Sequence, residues 1–343
     1  MRITELHPAA DHELVLMGEE ERVGYRAIIA IHSSRLGPAV GGTRLWRYAS
    51  PDAALTDALR LARGMSYKNA VAGLPMGGGK SVIMADGGAS SREQLFVAHG
   101  RFVESLNGRY ITAEDVGTSH RDMAIVKRET RHVAGLRDPS PVTAHGVFRA
   151  LRAAARHRWG SEDLTGRTIA LQGCGNVGGA LARALAAAGA RLVVSDVDSE
   201  AGRRCAAETG ASSVAPDAIY DVPADVFAPC ALGGILDDRT IPRLRCEIVV
   251  GAANNQLAVP TDADRLAARD ILYVPDYVAN AGGVIDGARD ICGWSDARVG
   301  AAVEAIYDTT RDILHRAEAA GVTPAAAADR QAEAALQAGR ARA

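Results

Sequence analysis

Gly173, Gly175 and Gly178 lie within TIALQGCGNVGGALARALAAAGARLVVSD, residues 168–196. They follow an apolar run directly and open an alanine- and leucine-rich stretch of helical character. A second apolar run then ends at Asp196, 23 residues beyond Gly173. Strand, tight turn, helix and a second strand closed by a carboxylate is the arrangement that binds a dinucleotide. Gly173 allows the turn, Gly175 lets backbone approach a pyrophosphate, and Gly178 lets helix and strand pack closely. Asn176 and Val177 stand at the helix N-terminus, where free N–H groups and a partial positive charge favour phosphate. Asp196 would accept from the adenine-ribose hydroxyls. Asp198 follows, and no basic residue comes before Arg203, so a 2′-phosphate would be repelled and NAD is expected over NADP. GxGxxG alone is weak evidence; its flanking elements make it specific here. The bland alternative is a domain of this type that binds no dinucleotide.

A second chemical signal is the lysine pair. GLPMGGGK at 73–80 reads as a glycine-rich loop running into a strand at SVIM. A phosphate-binding GxxxxGK[ST] would need glycine at position 74, which is Leu74, so a nucleotide-kinase reading fails on spacing. Such a loop can instead hold Lys80 rigidly, with Lys68 nearby in MSYKNA. Two partly desolvated ammonium groups would disfavour each other's charge and bring one toward neutrality, fit for a general base. Taken singly, each lysine reads equally well as a solvated surface charge.

The elements that must position these groups alternate between strand and helix, which predicts an α/β chain. The apolar run 23–31 reads as a strand. Ser50-Pro51 reads as an N-cap and first helical residue, with the helix reaching Gly64. Residues 92–107 read as a helix and 109–117 as a strand running into a loop. A polar connection at 135–143 marks a boundary between an N-terminal α/β substrate and oligomerisation domain, 1–136, and a Rossmann-type dinucleotide-binding domain, 137–314, with a cleft between them. Within the second domain, helices are expected at 144–157 and 178–189, and strands at 168–172 and 191–195. Further apolar runs fall at 225–228, 247–251 and 271–274. The C-terminal helix, about 315–343, is expected to pack back on the first domain or on a neighbouring subunit.

Composition excludes several classes. A net charge of −2 offers no bulk attraction to nucleic acid or to an anionic membrane. No apolar run reaches membrane-spanning length, and acidic residues crowd the amino end where a secretion signal would be apolar. The five cysteines form no CxxC pair and the nine histidines no HExxH, so free thiols in the cytoplasm and no metal are expected.

The chain resembles the glutamate/leucine/phenylalanine/valine dehydrogenases almost end to end, and is most similar to the leucine, valine and phenylalanine branch. The likeness is carried by LGPAVGGTRLW (36–46), ARGMSYKNAVAGLPMGGGKSVI (62–83), GRYITAEDVGT (108–118), SPVTAHGV (140–147), QGCGNVGG (172–179), DVFAPCALGG (225–234), GAANNQLA (251–258) and PDYVANAGGVI (275–285). It implies that an L-amino acid, NAD and water give the 2-oxo acid, ammonium and NADH, reversibly, in a homo-oligomer. By the same resemblance Lys68 binds the substrate carboxylate, helped by the backbone at Gly41 and Gly42 and by Asn254. Lys80 activates the water that attacks the imine, and Asp115 shuttles the proton of the substrate nitrogen. Thr143 and Asn280 hold the nicotinamide end. Read alone, Asp115 is a loop-capping aspartate, and the two asparagines could merely shape loops.

The resemblance also bears on substrate. A glutamate pocket in this family carries a lysine at the position of Val40 and a serine at that of Gly287. Val40 and Gly287 offer no charge, and burying an unpaired side-chain carboxylate is costly, so glutamate is not the expected substrate. Ala113 and Val284 resemble the leucine enzymes, while the smaller Val40 and Gly287 enlarge the pocket. Leucine, isoleucine and valine are expected, with turnover of methionine or phenylalanine. LPMGGGKSVI and GWS (293–295) resemble the phenylalanine enzymes, which keeps a phenylalanine preference open. A 2-hydroxy-acid dehydrogenase would want a histidine beside an arginine, and a non-catalytic NAD-binding regulatory subunit would lack Lys80 or Asp115.

Overall fold

A computed structural model of the chain describes residues 1–6, 11–85, 91–135 and 137–340. It divides into two compact units, Met1–Asp138 with Asp290–Gly293 and Ala332–Ala343, and Pro139–Arg289 with Trp294–Gln331.

The first unit is built on strands β1 (Arg2–Glu5), β2 (Leu14–Glu20), β3 (Tyr25–Ser33), β4 (Ala39–Trp46), β5 (Gly77–Met84) and β6 (Tyr110–Glu114), with helices α1 (Pro51–Val71), α2 (Arg92–Glu104) and α3 (His120–Val126). The sheet order is β1-β2-β3-β5-β4-β6. β3 is antiparallel to β2 and β5, whereas β4 runs parallel to β5 and β6. Helices cover both faces, which is why β3 reads as a nearly unbroken apolar run. Its Ala27, Ile29 and Ile31 pack with Phe96, Phe102 and Met123, and its Ile28 and Ala30 with Ala54, Ala58 and Ala62 of α1.

Ser50 caps α1 as expected, accepting from Ala53 N–H at 3.1 Å. The helix does not stop at Gly64 but runs to Val71, so Lys68 rides on its final turns. A larger departure concerns the glycine segment. Gly77, Gly78, Gly79 and Lys80 are not a loop; they are the first half of β5, buried between β3 and β4. Glycine is needed there for space. A β-carbon on Gly78 would stand 2.0 Å from Ser66 N, and one on Gly77 2.1 Å from Ser33 O. α1 therefore presses directly on bare strand backbone, and Asn69 Nδ2 donates to Gly77 O at 2.5 Å.

A polar cluster inside this unit ties the strands to α2. The fully buried His99 ring has its Nδ1 2.8 Å from Tyr25 Oη and its Nε2 2.8 Å from Thr43 Oγ1, and Thr43 is in turn bonded to Thr112 at 2.6 Å. Burial depresses the His99 pKa to about 3. The unfolded chain, with histidine near about 6.5, binds the extra proton first, so stability is full above that value and is lost as pH falls toward about 3. Urea midpoints should therefore decline on acidification from neutrality, with His99 alone adding up to about 1.4 kcal/mol per pH unit. A His99→Asn variant should show a flatter decline; an unchanged slope would contradict this.

The second unit contains α4 (Ser140–Trp159), β7 (Thr168–Gln172), α5 (Asn176–Ala187), β8 (Arg191–Ser195), α6 (Ser199–Thr209), β9 (Ser212–Ser213), β10 (Val226–Pro229), β11 (Ile248–Val249), α7 (Asp262–Ala268), β12 (Leu272–Tyr273), α8 (Asp276–Ala279), α10 (Asp296–Glu304) and α11 (Ile306–Ala320), with most of α9 (Gly282–Cys292) and the first half of α12 (Pro324–Arg340), whose ends from Asp290 and from Ala332 belong to the first unit. Its sheet, β12-β11-β10-β7-β8-β9, is wholly parallel. The winding reverses at β7, which neighbours β8 on one side and β10 on the other. A doubly wound sheet opens its ligand crevice at the carboxyl ends of such strands. The connection expected at 135–143 is shorter, since α4 already begins at Ser140 and carries Thr143 in its first turn.

Candidate active site

In the first unit, the Lys80 side chain is only 6% exposed and its Nζ lies 2.7 Å from Asp115 Oδ2. Lys80 reaches this position because β5 is central, opposite Ala30 of β3. Asp115 follows the last residue of β6, and its turn is closed by Thr118, whose Oγ1 accepts from Asp115 N–H and donates to Thr43 O, both at 2.9 Å. Gly42 leaves room for the Asp115 side chain and Gly41 for the backbone of β5. A β-carbon on Gly42 would fall 2.8 Å from Asp115 Cβ and 2.4 Å from Glu114 O, and one on Gly41 1.8 Å from Gly79 O.

Arg44 was not anticipated from sequence. Its Nε donates to Asp115 Oδ2 at 3.1 Å and its Nη1 to Asp57 Oδ2 at 3.0 Å, and Tyr48 Oη donates to that same oxygen at 2.8 Å. The available signal was a lone cation inside the strand-like GGTRLW, but its partners, Asp57 on α1 and Asp115 after β6, are remote in sequence. Burial by itself would raise the Asp115 pKa. The positive charges of Lys80 and Arg44 outweigh it, aided by hydrogen bonds from Lys80 and the Val116 N–H, and hold the carboxyl at about 2. The neighbour found at the Lys80 amine is thus an ionised carboxylate. Lys68, half-buried, belongs to the helical turns that press on β5. Val40 is buried and registers with Gly78 and Ile111; Ala113, half-buried, registers with Gly42.

In the second unit, the glycine turn has the required shape. Gly173 sits at φ +96°, a left-handed conformation, and a β-carbon there would meet Ala231 N at 2.7 Å. A β-carbon on Gly178 would meet Gly173 O at 1.9 Å, whereas Gly175 faces open space. Gly175 is the N-cap of α5, and no side chain caps the helix, so the first-turn N–H groups at Asn176 and Val177 stay available to an anion. Asp196 Oδ2 accepts from Cys174 N–H at 2.6 Å and Oδ1 from Asp198 N–H at 2.8 Å. These bonds fix the carboxylate at the end of β8 and leave it lone pairs for further donors. Arg203 is held by Glu200 at 2.6 Å.

Asn280 Nδ2 donates to Ala252 O at 3.0 Å and to Asn254 Oδ1 at 2.8 Å, so these two residues do come together. Asn280 Oδ1 is buried and accepts no hydrogen bond among the described residues. A buried acceptor without a donor is costly, and a ligand N–H such as that of a nicotinamide carboxamide would satisfy it. Thr143 Oγ1 donates to Pro139 O at 2.9 Å, and a β-carbon on Gly283 would crowd that hydroxyl at 2.9 Å. Val284 and Gly287 lie half-buried one turn apart on α9, and a β-carbon on Gly287 would touch nothing within 4 Å.

The parallel sheet, its open helix end and this orphaned amide acceptor fit the group they would hold, and define a nicotinamide-dinucleotide dehydrogenase. The chain belongs to the glutamate/leucine/phenylalanine/valine dehydrogenase family, with the Glu/Leu/Phe/Val dehydrogenase dimerisation domain matched over residues 14–132 and the Glutamate/Leucine/Phenylalanine/Valine dehydrogenase domain over 135–203 and 195–338. It is accordingly an amino-acid dehydrogenase, an oxidoreductase of reversible oxidative deamination. It is 48% identical over 340 residues to a leucine dehydrogenase of Thermoactinomyces intermedius, covering 97% of this chain and 93% of that one. Against a valine dehydrogenase of Streptomyces coelicolor the identity is 50% over 333 residues, covering 94% and 91%. The crystal structure of an L-tryptophan dehydrogenase from Nostoc punctiforme superposes with a TM-score of 0.85 at 45% identity, covering 97% of this chain and 98% of that one. Among the described residues, no helix is long and apolar enough to cross a membrane.

Proposed function

We propose that the chain oxidises leucine, isoleucine and valine with NAD, and methionine and phenylalanine appreciably. The observation that carries this is Lys80 buried against Asp115, in a unit whose expected pocket residues, Val40 and Ala113, bring no charge. Lys68, the Gly41-Gly42 backbone and Asn254 take the substrate carboxylate. Asp115 takes a proton from the substrate ammonium, since hydride can leave Cα only from the neutral amine. NAD would be held along its pyrophosphate by Gly173, Gly175, Asn176, Val177 and Gly178, at its adenine ribose by Asp196 and at its nicotinamide end by Thr143 and Asn280, and when bound would supply the hydride acceptor. Lys80, after releasing its own proton to solvent, then takes one from the water that adds to the imine. Arg44 offsets the Asp115 charge, so the carboxylate is not bound to Lys80 alone when the substrate ammonium arrives. The balance is amino acid, NAD⁺ and water to 2-oxo acid, ammonium, NADH and a proton.

NAD over NADP is supported by Asp196, followed by Asp198, and by an Arg203 already engaged by Glu200. The open space at Gly287 favours a second reading, preference for phenylalanine or another large side chain. The matched dimerisation domain supports a homo-oligomer, and five free cysteines support a cytoplasmic setting.

The test is NADH formation by the purified protein with NAD or NADP and a panel of L-amino acids and 2-hydroxy acids. The expected result is NAD reduction by branched-chain amino acids, with glutamate inert. Reduction by 2-hydroxy acids alone, or by nothing, would overturn the proposal. Selectivity within the apolar set should be shallow, because one methylene is worth about 1–3 kcal/mol.

A further inference from the structure

We propose that His157, His315 and Glu318 form a binding site for a divalent ion of the zinc class. His157 lies near the end of α4, and His315 and Glu318 lie on α11, three residues apart and so on one face of that helix. One ligand atom from each residue can be chosen so that all lie within 4.8 Å of one another. His157 Nε2 and Glu318 Oε2 are 4.0 Å apart, too far for a hydrogen bond, and the two imidazoles meet edge to face with centroids 5.5 Å apart at 81°. The side chains thus converge without satisfying one another.

A tetrahedral ion with bonds of about 2.0–2.2 Å sets its ligands about 3.3–3.5 Å apart, so closure needs a contraction of at most about 1.5 Å. His315 and Glu318 are exposed and can rotate to supply it, whereas the His157 side chain, 18% exposed, is the fixed arm. Two imidazoles with one carboxylate select zinc, copper, nickel or cobalt over magnesium and calcium, and water completes the shell. Arg158, the adjacent cation, is already neutralised by Asp270 at 2.5 Å and Glu247 at 3.3 Å, so it does not stand as an unpaired charge against a metal. The metal would cross-link two packed helices far apart in the chain, which is why no local spacing such as HExxH announced it.

The experiment is calorimetric titration of the metal-stripped, full-length protein with Zn²⁺, repeated with Mg²⁺ and on His315→Ala and Glu318→Gln. Both substitutions fall at exposed positions and should leave the circular dichroism unchanged. The wild type should bind one Zn²⁺ per chain and no Mg²⁺, and His315→Ala should weaken binding at least tenfold. At a free concentration about 100 times the dissociation constant, Zn²⁺ should favour the folded state about 100-fold and raise Tm, in the wild type but not in His315→Ala. No saturable binding, or equal Zn²⁺ binding by wild type and His315→Ala, would overturn the proposal.

Discussion

A Lys80→Ala enzyme should lose about 10²–10⁴-fold in kcat, the span that a positioned general base contributes. Its affinity for NAD should be unchanged, because the glycine turn and Asp196 belong to the other unit. The substitution removes the amine 2.7 Å from Asp115 but leaves that carboxylate its Arg44 partner at 3.1 Å, so the buried charge is not stranded. A kcat within a few-fold of wild type would show that Lys80 is a structural cation. Stopped-flow kinetics with the amino acid and with the 2-oxo acid plus ammonium should show the loss in both directions.

Asp115→Asn should be comparably damaging, about 10²–10⁴-fold in kcat, because the amide keeps the shape but cannot take the substrate's proton. This variant should also lose stability, since Lys80 and Arg44 would then face a neutral group. Breaking a buried pair costs about 3–5 kcal/mol where exclusion from water is complete, and Asp115, with its side chain 14% exposed, lies near the lower end of that cost. Tm and kcat should therefore be measured on the same preparation. In the wild type the Asp115 carboxyl, held at about 2, stays ionised over any working pH. Its depressed value stabilises the fold above about 4, and that contribution disappears as pH falls toward about 2. An acid limb in kcat/KM near neutrality would thus belong to another group. Combining Asp115→Asn with Lys80→Ala should be far from additive, because the two side chains act through one contact.

The dinucleotide motif of the second unit was legible because its signals are local. β7 and β8 occupy 168–172 and 191–195 as the apolar runs require, and Gly173, Gly175 and Gly178 take the turn, cap and packing positions that their spacing demands. The strand character of Gly77–Lys80 was not legible, because glycine runs carry a loop signal and the reasons for them here are external: Ser33 against Gly77, Ser66 of α1 against Gly78 and Tyr110 against Gly79. Arg44 was missed for a related reason: nothing beside it in the chain reveals that its guanidinium bridges Asp57 and Asp115. The antiparallel β1 and β2 were also overlooked; β1 is exposed throughout and shows no apolar alternation. Residue types singled out the lysine and the resemblance the aspartate, but only tertiary pairing revealed that they share one ion pair.

Amine rescue of the Lys80→Ala enzyme tests the proton-transfer role most directly. Truncation leaves a hole beside Asp115 that methylamine or ethylamine can enter. Turnover of leucine should rise saturably with added amine, follow the concentration of its uncharged form as pH is varied, and increase with amine basicity. Turnover that ignores added amine in a folded, substrate-binding variant would contradict the assignment of Lys80 as the base.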